Sequence, residues 1–472
     1  TFIPLGKSLY YSQICRVMAL KPNWNHIPCE ILVQILSHLS SYDRISACTT
    51  CKAWRDVLFY PKFWKKVYLT WLCPIDLKFK QSSFLRDKVS RGVKSAIIEF
   101  NFANKESINE SLLCLENFGQ NVKLEILFIK TRFRQEHNEC KSSWEIDESC
   151  LTRFSKALKN IAYNCKYLRK ITFGALHELI IEAQEAIIIL AESNGAVLQE
   201  LHLSSVNKTS IISDSLFQTL PKLQNLQVLS LNYDPNTLPL VTDLSRSHLT
   251  PIRRLHLVFH DNLQQLPRSH LYHTTWDSFH RRHPDCELHI TFLKSLKILE
   301  SDCNPLVFGI PVTHFSAYFC NEVRLSALAL ELLARISCDK LQSVRLVEKI
   351  IPHQRKLFVL SSVGNLDPVL LLAWRCHQLK EITIIGYQYL SDHLVAIGRM
   401  QKSLVELNIP ETCIEVDEYF DNYIRMITEL KYFLGRDWKP IREDELNPDI
   451  YDESESCLDD YLMRILQDNY AF

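Results

Sequence analysis

The sequence predicts an α/β chain in which a small three-helix module precedes a solenoid whose parallel strands line the concave side. Three observations predict it: apolar residues at helical spacing near the N-terminus, a strand motif that then returns about every 31 positions, and only 10 glycines in 472 residues. Average usage would supply roughly 33 glycines to a chain this long. The closest two, Gly386 and Gly398, stand twelve positions apart. A phosphate-cradling loop needs neighbouring residues without Cβ atoms, so both common glycine-rich nucleotide fingerprints are excluded.

The helical module comes first. Between Trp24 and Leu69, Ile31 and Ile35, and Leu32, Leu36 and Leu39, recur at the spacing of a helix that has Pro28 near its first turn. Asp43 opens a second helix carrying Ile45, Cys48 and Cys51, and Trp54, Leu58 and Trp64 continue the apolar set. Roughly 45 residues cannot bury this much surface by themselves, so a partner is expected to complete the core.

In order, Ile27-Pro28, Glu30-Ile31-Leu32, Ile35-Leu36, Leu39, Asp43, Cys51-Lys52, Trp54-Arg55 and Phe63-Trp64 resemble an F-box. The resemblance implies docking on the Skp1 adaptor and, through it, on the cullin and RING subunits of a ubiquitin ligase. Its expected contacts are Pro28, Ile31, Leu32, Ile35, Leu36, Leu39, Trp54 and Trp64. Ile27 and Arg44 depart from the family pattern, which has leucine at both places. Ile27 conserves volume, whereas Arg44 either weakens packing or adds a polar contact.

The strand motif L-x-x-L-x-L is clearest from Leu198, Leu226, Leu379 and Leu404, and looser copies start at Val93, Leu124, Leu168, Ile252, Asp285, Val312 and Leu341. Between them lie helical candidates at Ser155–Tyr163, Glu182–Ala191, Leu325–Ile336 and Asp392–Met400. One strand–helix unit cannot hide its apolar face, and stacking hides it, which gives degenerate leucine-rich repeats. DPVLLLAWRC (Asp367–Cys376), Gly386-Tyr387, His393–Ile397 and Trp438, with LFYPKFW (Leu58–Trp64), are similar to F-box proteins that carry such repeats. The stretch from about Arg132 to His353 matches by repeat pattern alone. The expected organisation is an N-terminal segment over 1–23, the F-box over 24–70, the solenoid over 71–413, and a C-terminal cap with an acidic tail over 414–472. The chain opens at Thr1 and its first methionine is Met18, so residues 1–17 are left out of the fold reasoning. The polar stretch Thr131–Cys150 is expected to be a loop.

Strand side chains alternate faces, so residues between the leucines should line the concave surface. Lys170, His202, Arg254, His256, His289, His314 and Arg345 are the candidate target contacts there. Two readings stay open: a locally basic floor for a phosphate or acidic segment, or a mixed polar face in which Glu200, Glu287, Glu381 and Glu406 dilute the charge. The first reading expects the histidines to add charge below about pH 6.5.

Other chemistry finds little support. His280, His283, Cys286 and His289 have zinc-ligand types, but strand alternation puts Cys286 and His289 on opposite faces. Cys48-Thr-Thr-Cys51 has no second pair, so neither metal nor cofactor is expected. No catalytic signature is present, so an enzyme is not expected. With 54 basic and 54 acidic residues the formal charge is zero, and direct nucleic-acid binding is not expected. The longest apolar runs, Ala186–Ala191 and Pro368–Trp374 among them, fall far short of the roughly 20 residues that cross a bilayer. Sixteen scattered cysteines suit a reducing cytoplasm or nucleus, and Asn109-Glu-Ser and Asn207-Lys-Thr are treated as chance glycosylation matches. Glu443–Asp460, rich in acids, is expected to be a solvated tail, with folding back onto the concave floor as the second reading.

The expected function is therefore a non-catalytic substrate receptor of a Skp1–cullin–F-box ligase. The alternative is a repeat scaffold whose F-box only packs on its first repeat. Exposure of the module's apolar face separates the two. A metal-dependent hydrolase ranks last.

Overall fold

The computed structural model describes residues 27–132, 146–206, 212–234, 236–246, 251–260, 271–294, 310–320, 327–350, 358–359, 367–416, 422–451 and 455–469. Most of the expected Thr131–Cys150 loop, and Asn207, lie outside the described residues. The module forms helices Cys29–Ser37, Ser41–Ala47 and Lys52–Val57. Ser40 caps the second by accepting the Asp43 amide at 3.1 Å, which satisfies one of the donors a helix start leaves free.

Twelve parallel strands follow in one sheet: β1 (Lys66–Trp71), β2 (Ser95–Asn101), β3 (Ile126–Arg132), β4 (Lys170–Phe173), β5 (Glu200–Leu203), β6 (Val228–Asn232), β7 (Arg254–His260), β8 (Glu287–Leu293), β9 (His314–Tyr318), β10 (Ser343–Val347), β12 (Glu381–Ile385) and β14 (Glu406–Asn408). Short strands β11 (Phe358–Val359), β13 (Tyr387–Leu390) and β15 (Ile414–Glu415) pair separately. Strands of the main sheet add in chain order, as a strand–helix solenoid requires. Each of the eleven motif starts lies two residues ahead of a strand of the main sheet, and the four helical candidates fall on helices Glu148–Asn164, His177–Asn194, Ala327–Ile336 and Ser391–Met400. The fold class is the expected one. β1 was not foreseen: it begins inside the segment assigned to the F-box, although Val67, Leu69 and Trp71 alternate inward and are buried.

Two devices keep the units in step. At the strand entrances one carbonyl accepts two amides of the next unit: Lys94 O takes Glu125 N at 2.7 Å and Ile126 N at 3.0 Å, and Arg169 O takes Gln199 N at 2.7 Å and Glu200 N at 3.0 Å. At the helix-to-strand turns a buried polar side chain bonds backbone carbonyls. Asn121 Nδ2 donates to Ser90 O and Val93 O at 2.8 and 2.6 Å, and Gln401 Nε2 donates to Cys376 O at 2.9 Å. Both use donors that would otherwise be buried and unmet.

The sheet's ends are closed by aromatic donors. Tyr42 Oη of the module donates to Tyr68 O at 3.0 Å on β1, and Trp438 Nε1 donates to Leu407 O at 2.8 Å on β14. The acidic stretch is solvated only at its start, where Glu443, Asp444 and Glu445 are exposed; helix Glu455–Asp468 folds back onto the end of β3, where the Thr131 amide donates to Gln467 Oε1 at 3.2 Å. Leu458, Leu462, Met463 and Leu466 recur at helical spacing and are buried, and that apolar stripe outweighs the acids around it.

Candidate functional site

The first helix divides the expected docking face into two layers. Leu32 and Leu36 point inward with Trp64 and are almost wholly buried, while Ile31 and Ile35 stay 51% and 40% exposed. Pro28 is exposed beside them, and Leu39 and Trp54 are half-buried. The expected face is thereby corrected at Leu32, Leu36 and Trp64, which form the module's own core. What the fold leaves bare is the stripe Pro28, Ile31, Ile35, one turn apart along a single helix.

Arg44 explains how so short a module holds its shape. Its buried guanidinium donates to Leu36 O at 3.0 Å, Phe63 O at 3.0 Å and Leu39 O at 2.9 Å. It also lies 4.4 Å from the Phe63 ring centre and 5.3 Å from that of Trp64. The departure from the family pattern is a polar clip: it satisfies the open carbonyls at the end of the first helix and ties them to the Phe63-Trp64 segment. Burial lowers the Arg44 pKa from its usual value.

On the solenoid, one residue from each of β4 to β9 forms a rung in register: Thr172, His202, Ser230, His256, His289 and His314, the last opening its strand. The rung is not the open basic floor. His202 and His256 are each only 4% exposed. His256 Nε2 lies 2.9 Å from Thr291 Oγ1, and the His289 and His314 rings stack with centres 3.9 Å apart. Burial, with the nearby cations Arg254 and Lys170, drives the His202 imidazole down to about 3. Burial and His289 likewise bring His314 to about 3, so these rings stay neutral where free histidine would charge.

The cations are matched strand by strand. Lys170 Nζ meets Glu200 at 2.7 Å, Arg254 donates from Nε and Nη2 to Glu287 Oε2 at 3.0 and 2.9 Å, and Arg345 donates from Nε and Nη2 to the two carboxylate oxygens of Glu381 at 2.5 and 3.0 Å. His289 and then Arg254 hold the Glu287 carboxyl down at about 2. Of the two readings left open, these pairs favour the mixed polar face: parallel register sets Lys170 opposite Glu200 and Arg254 opposite Glu287, and Arg345 reaches Glu381 diagonally, two positions back on the next strand.

The residues of zinc-ligand type serve different purposes. His283 Nδ1 accepts the Ile252 amide at 3.0 Å, His280 Nδ1 lies 3.0 Å from Lys340 Nζ, and burial pushes the Cys286 thiol up to about 12. Among the described residues no group of three or more His, Cys, Asp or Glu could hold a metal ion, and no helix is long and apolar enough to cross a membrane. Cys48 is core and Cys51 precedes the third helix. Sequence reasoning missed Lys130 and Lys294, which meet the tail carboxylates of Asp468 and Asp459 at 2.9 and 2.7 Å. Lys130 lies in the second half of β3 and Lys294 directly follows β8, both beyond the L-x-x-L-x-L positions.

Residues 24–70 match the family described as F-box-like. The N-terminal module is an F-box-like domain. F-box only protein 33 of Homo sapiens is 25% identical over 89% of this chain and 83% of its own length, and its Mus musculus counterpart is 22% identical over the same shares. F-box/LRR-repeat protein 21 of Bos taurus is 21% identical over 89% of each chain. Among solved structures, one titled as the crystal structure of a TLR13–ssRNA13 complex matches at TM-score 0.29 and 11% identity, over 75% of this chain and 52% of that one. The likeness read from Leu58–Trp64 and from Asp367–Trp438 is therefore to F-box only protein 33. These relatives and the F-box-like match support an F-box substrate-recognition adaptor in general.

Proposed function

We propose that this chain is the substrate-recognition subunit of a Skp1–cullin–F-box ubiquitin ligase. Skp1 seats on the stripe Pro28, Ile31 and Ile35, flanked by Leu39 and Trp54. The solenoid holds a target protein so that its lysines meet a ubiquitin-charged enzyme brought by the cullin and RING subunits. Catalysis is positional: holding two reactants together replaces a bimolecular encounter, and the chain supplies the holding.

The observation that carries this reading is the stripe. A module that buries Leu32, Leu36 and Trp64 yet leaves Ile31 and Ile35 in water has an apolar face awaiting a partner. The scaffold alternative called for that face to be covered by the first repeat, whose contacts with the module run instead through Tyr42, Ser82 and Phe59. Ile31→Asp with Ile35→Asp is expected to abolish co-purification of Skp1 while shifting stability by no more than about 1 kcal/mol. Retention of Skp1 by that folded double variant contradicts the assignment.

A further inference from the structure

Among the described residues, Lys294 and Phe319 are the two non-glycine residues with positive φ, at 48° and 51°. Each directly follows a strand, β8 and β9. The residues that directly follow β4 and β12 also have positive φ, and both are glycines, Gly174 at 78° and Gly386 at 80°. These turns therefore ask for a left-handed residue, a conformation that disfavours any Cβ. At two of them the chain carries a bulky side chain instead, and both side chains reach the same object. Lys294 Nζ meets Asp459 at 2.7 Å, and the Phe319 ring lies 5.5 Å from that of Tyr461.

That object is the tail helix Glu455–Asp468, whose other end is fixed on β3. Lys130 Nζ meets Asp468 at 2.9 Å, the Thr131 amide donates to Gln467 Oε1 at 3.2 Å, and Gln467 Nε2 donates back to Thr131 O at 3.3 Å. From Asp459 to Asp468 the helix is a rod of roughly 14 Å at 1.5 Å per residue. The strands it joins, β3 and β8, are five spacings apart, roughly 24 Å measured along a sheet. The rod and the Lys130 and Lys294 side chains at its two ends together bridge that separation, so the seated helix limits how far the two strand ends can spread.

We propose that Lys294 and Phe319 are kept in their unfavourable backbone conformation as anchors for the tail helix, and that the anchored helix is a chord that fixes the curvature of the solenoid. The function of such a chord is to hold the N-terminal half, which bears the docking module, at a set angle to the C-terminal half. The inference rests on the strand ends and the tail alone and stands whether or not the ligase reading does.

Glycine substitution tests it, because glycine relieves the backbone while removing the anchor. In the full chain, Lys294→Gly with Phe319→Gly is expected to speed amide exchange across residues 458–468 by about tenfold or more, and to raise the radius of gyration measured by small-angle scattering. Asp459→Asn, which removes the ion pair and leaves both left-handed residues in place, is expected to move exchange the same way by a smaller factor. If the glycine variant melts higher with tail exchange unchanged, the anchors are incidental and the proposal fails. If tail exchange rises and the radius stays the same, the helix is seated but does not set curvature, and the chord fails.

Discussion

The docking module and the sheet treat the hydrophobic rule in opposite ways. The module leaves Ile31 and Ile35 in solvent and buries an arginine. The sheet buries histidines, serines and asparagines on its concave side, with Ser230, His256 and Asn232 all nearly inaccessible. In the module the apolar excess has nowhere to go within 40-odd residues, and the proposed function reads it as a surface for another chain. On the sheet the polar groups have polar neighbours on the next unit, such as Ser204 Oγ at 2.7 Å from Ser230 Oγ, and so they are structural. An outward isoleucine is thus the better guide to a partner here than an inward histidine.

Adjacent residues of one helix give the hardest test of that contrast. Leu36→Ala should cost about 2–5 kcal/mol by urea unfolding, whereas Ile35→Ala should stay within about 0.5 kcal/mol. Equal costs would erase the distinction between core and docking stripe. Next in size, Arg44→Ala removes the donor to three carbonyls and should cost about 2–3 kcal/mol, with circular dichroism reporting loss of the module's helices before the sheet melts.

Acid separates the regions further. Burial holds His202 at about 3 and His260 at about 4 in the folded chain, while unfolded histidine takes its proton near 6.5. The unfolded state therefore gains protons first, and stability should fall as pH drops below about 6.5, by up to roughly 1.4 kcal/mol per pH unit for each such histidine. Glu348 works in the opposite direction: burial raises its carboxyl to about 7, so its contribution is full at low pH and is lost as pH rises from about 4.5 to 7. His202→Asn should flatten the acid limb, and an unchanged slope would show that the rung does not stay neutral. The smallest effect is expected at Arg254 and Glu287, both partly exposed. A double-mutant cycle there should give a coupling of about 1 kcal/mol or less, and a much larger value would restore the case for a charged recognition floor.

Much of the fold was legible because it repeats. The leucines of L-x-x-L-x-L enter one core at a fixed spacing within each motif, so eleven strands announced themselves. β1 escaped because its alternating Val67, Leu69 and Trp71 lie within a segment already explained by helices. β11, β13 and β15 lie outside the L-x-x-L-x-L motif, so its period does not reach them. The docking module was legible as a motif, but which of two leucine–isoleucine pairs faced inward depended on where Arg44 and Trp64 closed the far side. The concave face was least legible. Whether Lys170, Arg254 and Arg345 are free depends on the register that sets Glu200, Glu287 and Glu381 beside them, and the seat of the tail depends on Thr131, 336 positions from Gln467.

The central claim is that one narrow stripe on the first helix is the docking surface. Hydrogen exchange of the full chain with and without purified Skp1 tests it directly. The account predicts new protection at residues 28–39 and around Trp54, with strands β2 to β10 unchanged. Binding that leaves residues 28–39 unprotected, or protection confined to the solenoid, would contradict it.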